Sequence, residues 1–285
     1  MKKAIGAVVL LSLILAAAYF TNLLNLPGTE TAEAAASHAE KLVLTGSSTV
    51  APLAAEIGKR FESQHPNVRI DVQTGGSSRG VNDARSDLAD IGMASRALKP
   101  EEAELKSYTI ALDGISIIVN ATNPVTALDK QQIIDVFTGK ITNWNALGGN
   151  DAPITVVNKA EGRSTLELFL HYFGLNNTDI KAQVVIGDNQ QGIKTVAGNP
   201  DAIGYVSVGA AEYEAGHAVA IKLLPLDGIA ASVENVRNGS FPLSRPLNLV
   251  TKTEPSGVAK AFIDFASSYD VNDLIEAQYF VPVAH

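Results

Sequence analysis

From residue 41 onward, short apolar runs alternate with stretches in which apolar residues recur every three or four positions. The first kind reads as strands and the second as helices. Leu42-Val43-Leu44 is the first strand. A helix follows, with Pro52 in its first turn and Val50, Leu53, Ala54, Ile57 and Phe61 on one face. Val68, Ile70 and Val72 alternate through a second strand, and Val81, Ala84 and Leu88 mark the next helix. Ala89–Arg96 reads as a third short strand ending in a polar turn. Ile115–Val119 is a buried-looking strand, broken after Asn120 by Asn123-Pro124. Ile133, Ile134 and Phe137 give a helix over Lys130–Phe137, closed by Thr138-Gly139. Ile154–Val157 is a strand, and Leu166, Phe169, Leu170 and Phe173 share a helical face that stops at Gly174. A strand at 184–186, a short helix at 189–196, strands at 202–208 and 247–250, and helices at 257–269 and 273–278 complete the chain. Strands alternating with helices predict an α/β protein with largely parallel sheets.

Length changes this picture first: 285 residues suffice for two lobes, each with its own core. The net charge of −8 argues against nucleic acid as a partner, and it means that any anion must be held by local donors. Met1-Lys2-Lys3, the apolar stretch Ala4–Phe20 and the small residues around Ala32–Ser37 predict a signal peptide over residues 1–36, cleaved near Ala36. The apolar stretch runs on toward Leu26, so an uncleaved N-terminal anchor is the alternative. Removing residues 1–36 takes away Lys2, Lys3, Glu30 and Glu33, and the net charge stays at −8. With no cysteine in the chain, disulfides, thiol catalysis and a lipidated cysteine are excluded.

Three strand-to-helix junctions carry the same chemistry. Gly46-Ser47-Ser48-Thr49 precedes the first helix. Thr74-Gly75-Gly76-Ser77-Ser78-Arg79-Gly80 precedes the second. Lys159-Ala160-Glu161-Gly162-Arg163-Ser164-Thr165 precedes the helix at 166–173. Free backbone N–H groups and the positive end of a helix dipole meet at such junctions, and both favour an anion. Each also has an ordinary structural explanation. Ser or Thr caps helices commonly, and Ser164 with Glu167 spells a capping box. Asp90 stands out as an acid beside anion-favouring loops.

Five segments, taken in order, resemble the phosphate-binding proteins of Pst-type ABC importers. They are Gly-Ser-Ser-Thr-Val (46–50), Gly-Gly-Ser-Ser (75–78), Asp-Ile-Gly-Met-Ala-Ser-Arg (90–96), Val-Phe-Thr-Gly-Lys-Ile-Thr-Asn-Trp (136–144) and Ala-Ile-Gly-Tyr-Val (202–206). The resemblance covers essentially everything after residue 41. It implies a class II periplasmic-binding-protein fold, with two α/β lobes joined by a two-segment hinge. The lobes would be 37–113 plus 247–285 and 114–246, with crossings near Leu112–Ser116 and Arg245–Leu249. It also implies phosphate contacts from Ser48, Thr49, Ser77, Asp90, Arg163, Ser164 and Thr165, with Ser47, Ser78, Ser95, Arg96 and Lys159 as further candidates. The family commonly has an arginine and then Gly-Ser-Gly-Thr in the third loop. Here Lys159 stands at the arginine position and Gly162-Arg163-Ser164-Thr165 replaces the run. Arg163 is the favoured cation, because its fork of donors matches two phosphate oxygens and lysine cannot do this. Asp90 would select for phosphate over sulfate by accepting a hydrogen bond from a protonated oxyanion.

The resulting expectation is a receptor that binds inorganic phosphate between lobes and delivers it to an ABC permease in the inner membrane. It would be periplasmic or secreted, monomeric, free of cofactors and metals, and not an enzyme. Competing readings are a receptor for sulfate or molybdate, a phosphate sensor or adhesion module, and a serine hydrolase. The last rests on Gly76-Ser77-Ser78-Arg79-Gly80, which fits Gly-x-Ser-x-Gly, with His171 and His217 downstream. The histidines (His38, His65, His171, His217 and His285) show no metal-ligand spacing. Gly139-Lys140 is followed by Ile141 and is no phosphate-binding P-loop. Trp144 reads as a packing residue.

Overall fold

The computed structural model describes residues 39–283, so the expected signal peptide, His38 and His285 lie outside the described residues. The sequence from Glu40 folds as one compact unit. It begins with β1 (Glu40–Gly46), α1 (Ala51–Gln64), β2 (Val68–Thr74), α2 (Ser77–Arg85) and β3 (Ile91–Ala94). The long strand β4 (Lys106–Asn120) follows, then α3 (Lys130–Phe137), β5 (Thr155–Lys159), α4 (Ser164–Phe173) and β6 (Val184–Ile186). Next come α5 (Asn189–Ala197), β7 (Ala202–Ser207), α6 (Val208–Gly216), β8 (Ile221–Leu224) and α7 (Val233–Arg237). The chain closes with β9 (Ser244–Thr251), α8 (Gly257–Ala266), α9 (Asn272–Ala277) and β10 (Val281–Pro282).

Strand β4 belongs to both halves. Its first stretch, from Lys106 to Gly114, pairs antiparallel with β9, and from Ile115 onward it pairs with β7. The strand order is therefore β2-β1-β3-β9-β4-β7-β5-β6, with β8 and β10 also paired to β4. The pairs β1–β2, β1–β3, β5–β6 and β5–β7 are parallel, as helical crossovers require. The expectation of largely parallel sheets is corrected in the middle of the molecule. There β4 and β9 run through both halves and every pairing they make is antiparallel.

Period-two alternation builds the two cores of the second half. Ile115, Ile117 and Val119 of β4 join one cluster with Phe137, Phe169 and Tyr205, while Ile118 faces the opposite cluster with Val157, Ile193 and Val206. The first half packs Leu44, Leu53, Ile57, Phe61, Ile91, Leu249 and Phe262 together. Trp144 is buried in the second half, and its Nε1 donates to the Asp201 carbonyl. Leu88, expected on the apolar face of the second helix, is 72% exposed. The helix ends at Arg85, and Asp87 turns the chain at φ 57°, which aims Leu88 at solvent.

Close backbone approach positions α2. Gly46 adopts φ 132°, and a Cβ there would stand 2.3 Å from the Met93 carbonyl oxygen. A Cβ on Gly80 would stand 2.6 Å from the Thr45 carbonyl oxygen. With glycine at both places, α2 lies directly against β1 and β3, and its first residue, Ser77, comes beside the loop after β1. The cluster around Phe169, stacked on Tyr205 at 4.1 Å, fixes α4 in the same way. Phe169→Ala is expected to lower unfolding free energy by about 3–5 kcal/mol. Urea denaturation of the mature chain checks this, and a loss below about 1 kcal/mol would contradict the packing described.

Candidate functional site

The first turns of α1, α2 and α4 converge on one small hollow. It is lined by Ser47, Ser48, Thr49, Gly76, Ser77, Ser95, Arg163, Ser164 and Thr165. None of these three helices has a side-chain cap on its N-terminal N–H groups. By contrast, Asp129, Asp188 and Ser207 cap α3, α5 and α6. The other long helix lacking a cap, α8, does not border the hollow. Uncapped first turns present orphan donors and a positive dipole end, which is the local field a net-negative protein needs to hold an anion.

The hydroxyls form a continuous cluster. Ser47 Oγ donates to Ser95 Oγ at 2.9 Å, and Ser95 Oγ and Ser164 Oγ are 2.5 Å apart. The Ser95 amide donates to Ser77 Oγ at 3.1 Å. Ser47 Oγ also accepts from the amides of Thr49 and Val50. The expected capping box does not form. Ser164 is the first residue of α4 rather than its N-cap, its hydroxyl meets Ser95, and Glu167 turns toward the other half.

Behind the hydroxyls lies an ion pair with no exposed side-chain surface. Arg245 donates to Asp113 Oδ2 from Nη2 at 2.8 Å and from Nε at 3.1 Å. Its remaining donors reach Thr165 Oγ1 at 3.0 Å, Thr49 Oγ1 at 3.4 Å and Ser95 Oγ at 3.5 Å. Asn189 donates to Thr49 Oγ1 as well, at 3.1 Å. A hydroxyl that accepts from a cation keeps its own proton for another acceptor. Arg245 thus turns Thr49 and Thr165 into donors aimed away from itself. Asp113 is fully engaged, since its Oδ1 accepts from Ser207 Oγ and the Gly209 amide.

The sequence candidates divide clearly. Ser47, Ser48, Thr49, Ser77, Ser95, Arg163, Ser164 and Thr165 meet at the hollow. Arg163 lines it with a buried Nε that has no hydrogen-bond partner. Lys159 lies behind it, buried, with Nζ 3.2 Å from Asn189 Oδ1. Arg96 is corrected: it is buried against Glu102, which it grips with two hydrogen bonds of 2.7 and 2.8 Å, and it does not line the hollow. Ser78 is corrected too. Its hydroxyl donates to Glu167 Oε1 at 2.8 Å, where a hydrolase would need a histidine.

Asp90 is the largest correction. It is exposed, accepts from the Val43 amide at 2.7 Å and borders a different cavity with Glu40 and Glu254. Asp90 precedes β3, whereas the hollow lies at the C-terminal ends of β1 and β3. A four-residue strand puts roughly 13 Å between those ends. Reasoning from the sequence missed Asp113, Arg245 and Asn189. The available signal was a charged residue of each sign within buried strand segments at the two expected crossings, where a solvated side chain has no place.

The two halves also meet at the rim of the hollow. The Ser78 amide donates to the Gly162 carbonyl at 3.3 Å. Arg96 Nε and Lys99 Nζ approach Glu167 Oε2 at 3.0 and 3.1 Å. A Cβ on Gly76, at φ 97°, would stand 2.6 Å from the Gly162 carbonyl oxygen, so this contact needs glycine.

Two α/β halves, two strands shared between them and an anion-directed hollow at their junction define a substrate-binding receptor of the periplasmic type. The chain belongs to the PBP superfamily, whose domain model matches residues 31–269, and within it to the family of PstS phosphate-binding proteins. It is 30% identical to phosphate-binding protein PstS of Bacillus subtilis, over 85% of this chain and 80% of that one. A putative phosphate ABC transporter substrate-binding protein with bound phosphate, from Clostridium perfringens, is 36% identical with a TM-score of 0.80. The match covers 86% of this chain and all of that one. An ABC-type phosphate transport receptor from Vibrio cholerae is 30% identical with a TM-score of 0.71, over 85% of this chain and all of that one. Among the described residues no helix is long and apolar enough to cross a membrane.

Burial first, then the positive charges of Arg245 and Arg163, push the Lys159 ammonium down to about 7; Asp188 opposes the shift. The unfolded chain, with an ordinary lysine near 10.4, binds more protons between those values, so stability rises with pH through this window and the full cost is present below pH 7. Lys159→Met is expected to remove a slope of about 1.4 kcal/mol per pH unit between pH 7 and 10. Denaturation of both proteins across that range reads the difference, and parallel curves would contradict a neutral buried Lys159.

Proposed function

We propose that this chain binds inorganic phosphate in the hollow between its halves and hands it to the permease of an ABC importer. The observation that carries the reading is the convergence of three uncapped helix N-termini, eight hydroxyl or guanidinium side chains and no carboxylate on one point. The names of its relatives support the same ligand and the same transporter class. The lobes in this reading are 37–113 with 247–285, and 114–246. The change of partner in β4 between Gly114 and Ile115 supports that division.

Phosphate would exchange the mutual hydrogen bonds of Ser47, Ser77, Ser95 and Ser164 for bonds to its oxygens. Hydrogen bonds to a charged group contribute about 1.5–3 kcal/mol each, and micromolar affinity needs about 8 kcal/mol net. Four or five such contacts are therefore enough. The hollow measures about 10 Å3, so the rim contacts at Gly162 and Glu167 part to admit the ion and reform behind it. This is a hinge motion about β4 and β9. The protein acts as a monomeric receptor outside the cytoplasm, after loss of residues 1–36. It uses no cofactor and performs no catalysis; the Ser78 hydroxyl, spent on Glu167, supports a rim contact and not a nucleophile.

Calorimetry of the mature chain tests this. Phosphate is expected to bind at micromolar or tighter affinity. Arg163→Gln should weaken it about 10- to 100-fold, the worth of one charge-assisted contact. Asp90→Asn should leave both phosphate affinity and the preference for phosphate over sulfate unchanged. Absence of phosphate binding, or an Arg163→Gln protein indistinguishable from wild type, would overturn the reading.

A further inference from the structure

A second, larger cavity shares the Ser48–Thr49 loop with the hollow. Its volume is about 570 Å3, within the ~300–1,000 Å3 of small organic ligand sites and well beyond the need of one tetrahedral ion. Both halves build it. Pro52, Ala55, Val72 and Phe280 come from the first, and Ala210 and Tyr213 from the second. Asn189 and Asp188 are among the polar residues that line it, with Thr74, Gln190 and Gln278. Asp188 is the one charged residue that lines the cavity, among the described residues. One of its oxygens, Oδ1, accepts from the Gln191 amide and caps α5, which leaves Oδ2 for another donor.

Ser48 and Thr49 line both spaces. Asn189 Nδ2 donates to Thr49 Oγ1 at 3.1 Å, and both residues line the cavity. Asn189 Oδ1 is held on the other side by Lys159 Nζ at 3.2 Å. Displacing the Asn189 amide would free the Thr49 side chain, which lines both spaces. The Thr49 hydroxyl would keep Arg245 as a donor, at 3.4 Å.

We propose that this cavity is a second subsite of the oxyanion site. It takes the organic substituent of a phosphonate or phosphate monoester, where that substituent is compact and either uncharged or ammonium-bearing. Three oxygens stay on the donors of the hollow, and the fourth substituent of phosphorus leaves past Asn189. The apolar wall selects carbon over water, and Asp188 selects against a second negative charge. The proposal rests on the hollow being an oxyanion site.

Calorimetry of the mature chain with inorganic phosphate, ethylphosphonate, 2-aminoethylphosphonate and phosphonoacetate tests it. Both uncharged and ammonium-bearing phosphonates are expected to bind and to compete with phosphate, and phosphonoacetate to bind worst. Asp188→Asn keeps a helix-capping side chain and should erase an advantage of about fivefold for the ammonium compound. Ala210→Phe fills the cavity and should weaken the phosphonates at least about tenfold, while phosphate stays within about twofold. Ala55→Leu provides the same test from the other wall should Ala210→Phe fail to fold. Phosphate binding without any phosphonate binding would overturn the subsite and leave the receptor reading intact. Equal losses for phosphate and phosphonates in the filled variants would also overturn it. Phosphonate binding without phosphate binding would uphold the subsite and overturn inorganic phosphate as the ligand. Binding of neither overturns both.

Discussion

The pair Arg245–Asp113 is the constraint on which the architecture turns. Both side chains are wholly buried, and both sit where β4 and β9 pass from one half to the other. Removing two charges from water costs several kcal/mol per ion, and only complete hydrogen bonding repays it. That condition is met, because Asp113 collects Arg245, Ser207 and the Gly209 amide, and Arg245 spends its other donors on Thr49, Ser95 and Thr165. Those three hydroxyls come from three separate segments: the loop after β1, the turn after β3 and the first turn of α4. The strand crossing and the anion-directed hollow are thus one hydrogen-bonded object, and breaking the pair disturbs both.

This arrangement separates the positive charge that shapes the hollow from the charge that lines it. Arg245 acts from behind, through hydroxyls, while Arg163 borders the hollow with an unpartnered buried Nε. A buried donor without a partner costs about 1–3 kcal/mol, which an oxyanion would relieve. No acid borders the hollow, so discrimination among oxyanions must come from serine and threonine hydroxyls, which can accept as well as donate. Glu167 adds a different function. It draws Ser78, Arg96 and Lys99 of the first half onto α4 of the second, and the rim is held by a carboxylate that never faces the ligand site.

Strongly periodic segments were legible in the sequence. The faces of α1 and α4, the alternation in β2 and the turn residues at each anion-favouring junction all follow from local pattern. Eight of the twelve candidate residues meet at the hollow because loops at the C-terminal ends of parallel strands converge. What local pattern misses is which end of a strand a residue occupies. Asp90 directly precedes β3 and Ser95 directly follows it, so the two stand at opposite ends of one short strand. The first stretch of β4 was also invisible, since Lys106, Ser107, Thr109 and Asp113 interrupt its apolar character. Those polar residues mark the crossing, and a search confined to loops passes over it. Helix α6 lacks a clear apolar stripe, being rich in glycine and alanine, and so gave no periodic signal.

A crystal structure of the mature chain grown with phosphate would show whether the three helix N-termini meet on one ion. One phosphate is expected, with oxygens within about 3.2 Å, the upper limit of a good hydrogen bond, of first-turn amides from α1, α2 and α4 and of the Thr49, Ser77 and Thr165 hydroxyls. Arg163 should reach it and the Arg245–Asp113 pair should remain intact. Phosphate bound elsewhere, or held without contact to two of those three helices, would rule out the hollow as the phosphate site.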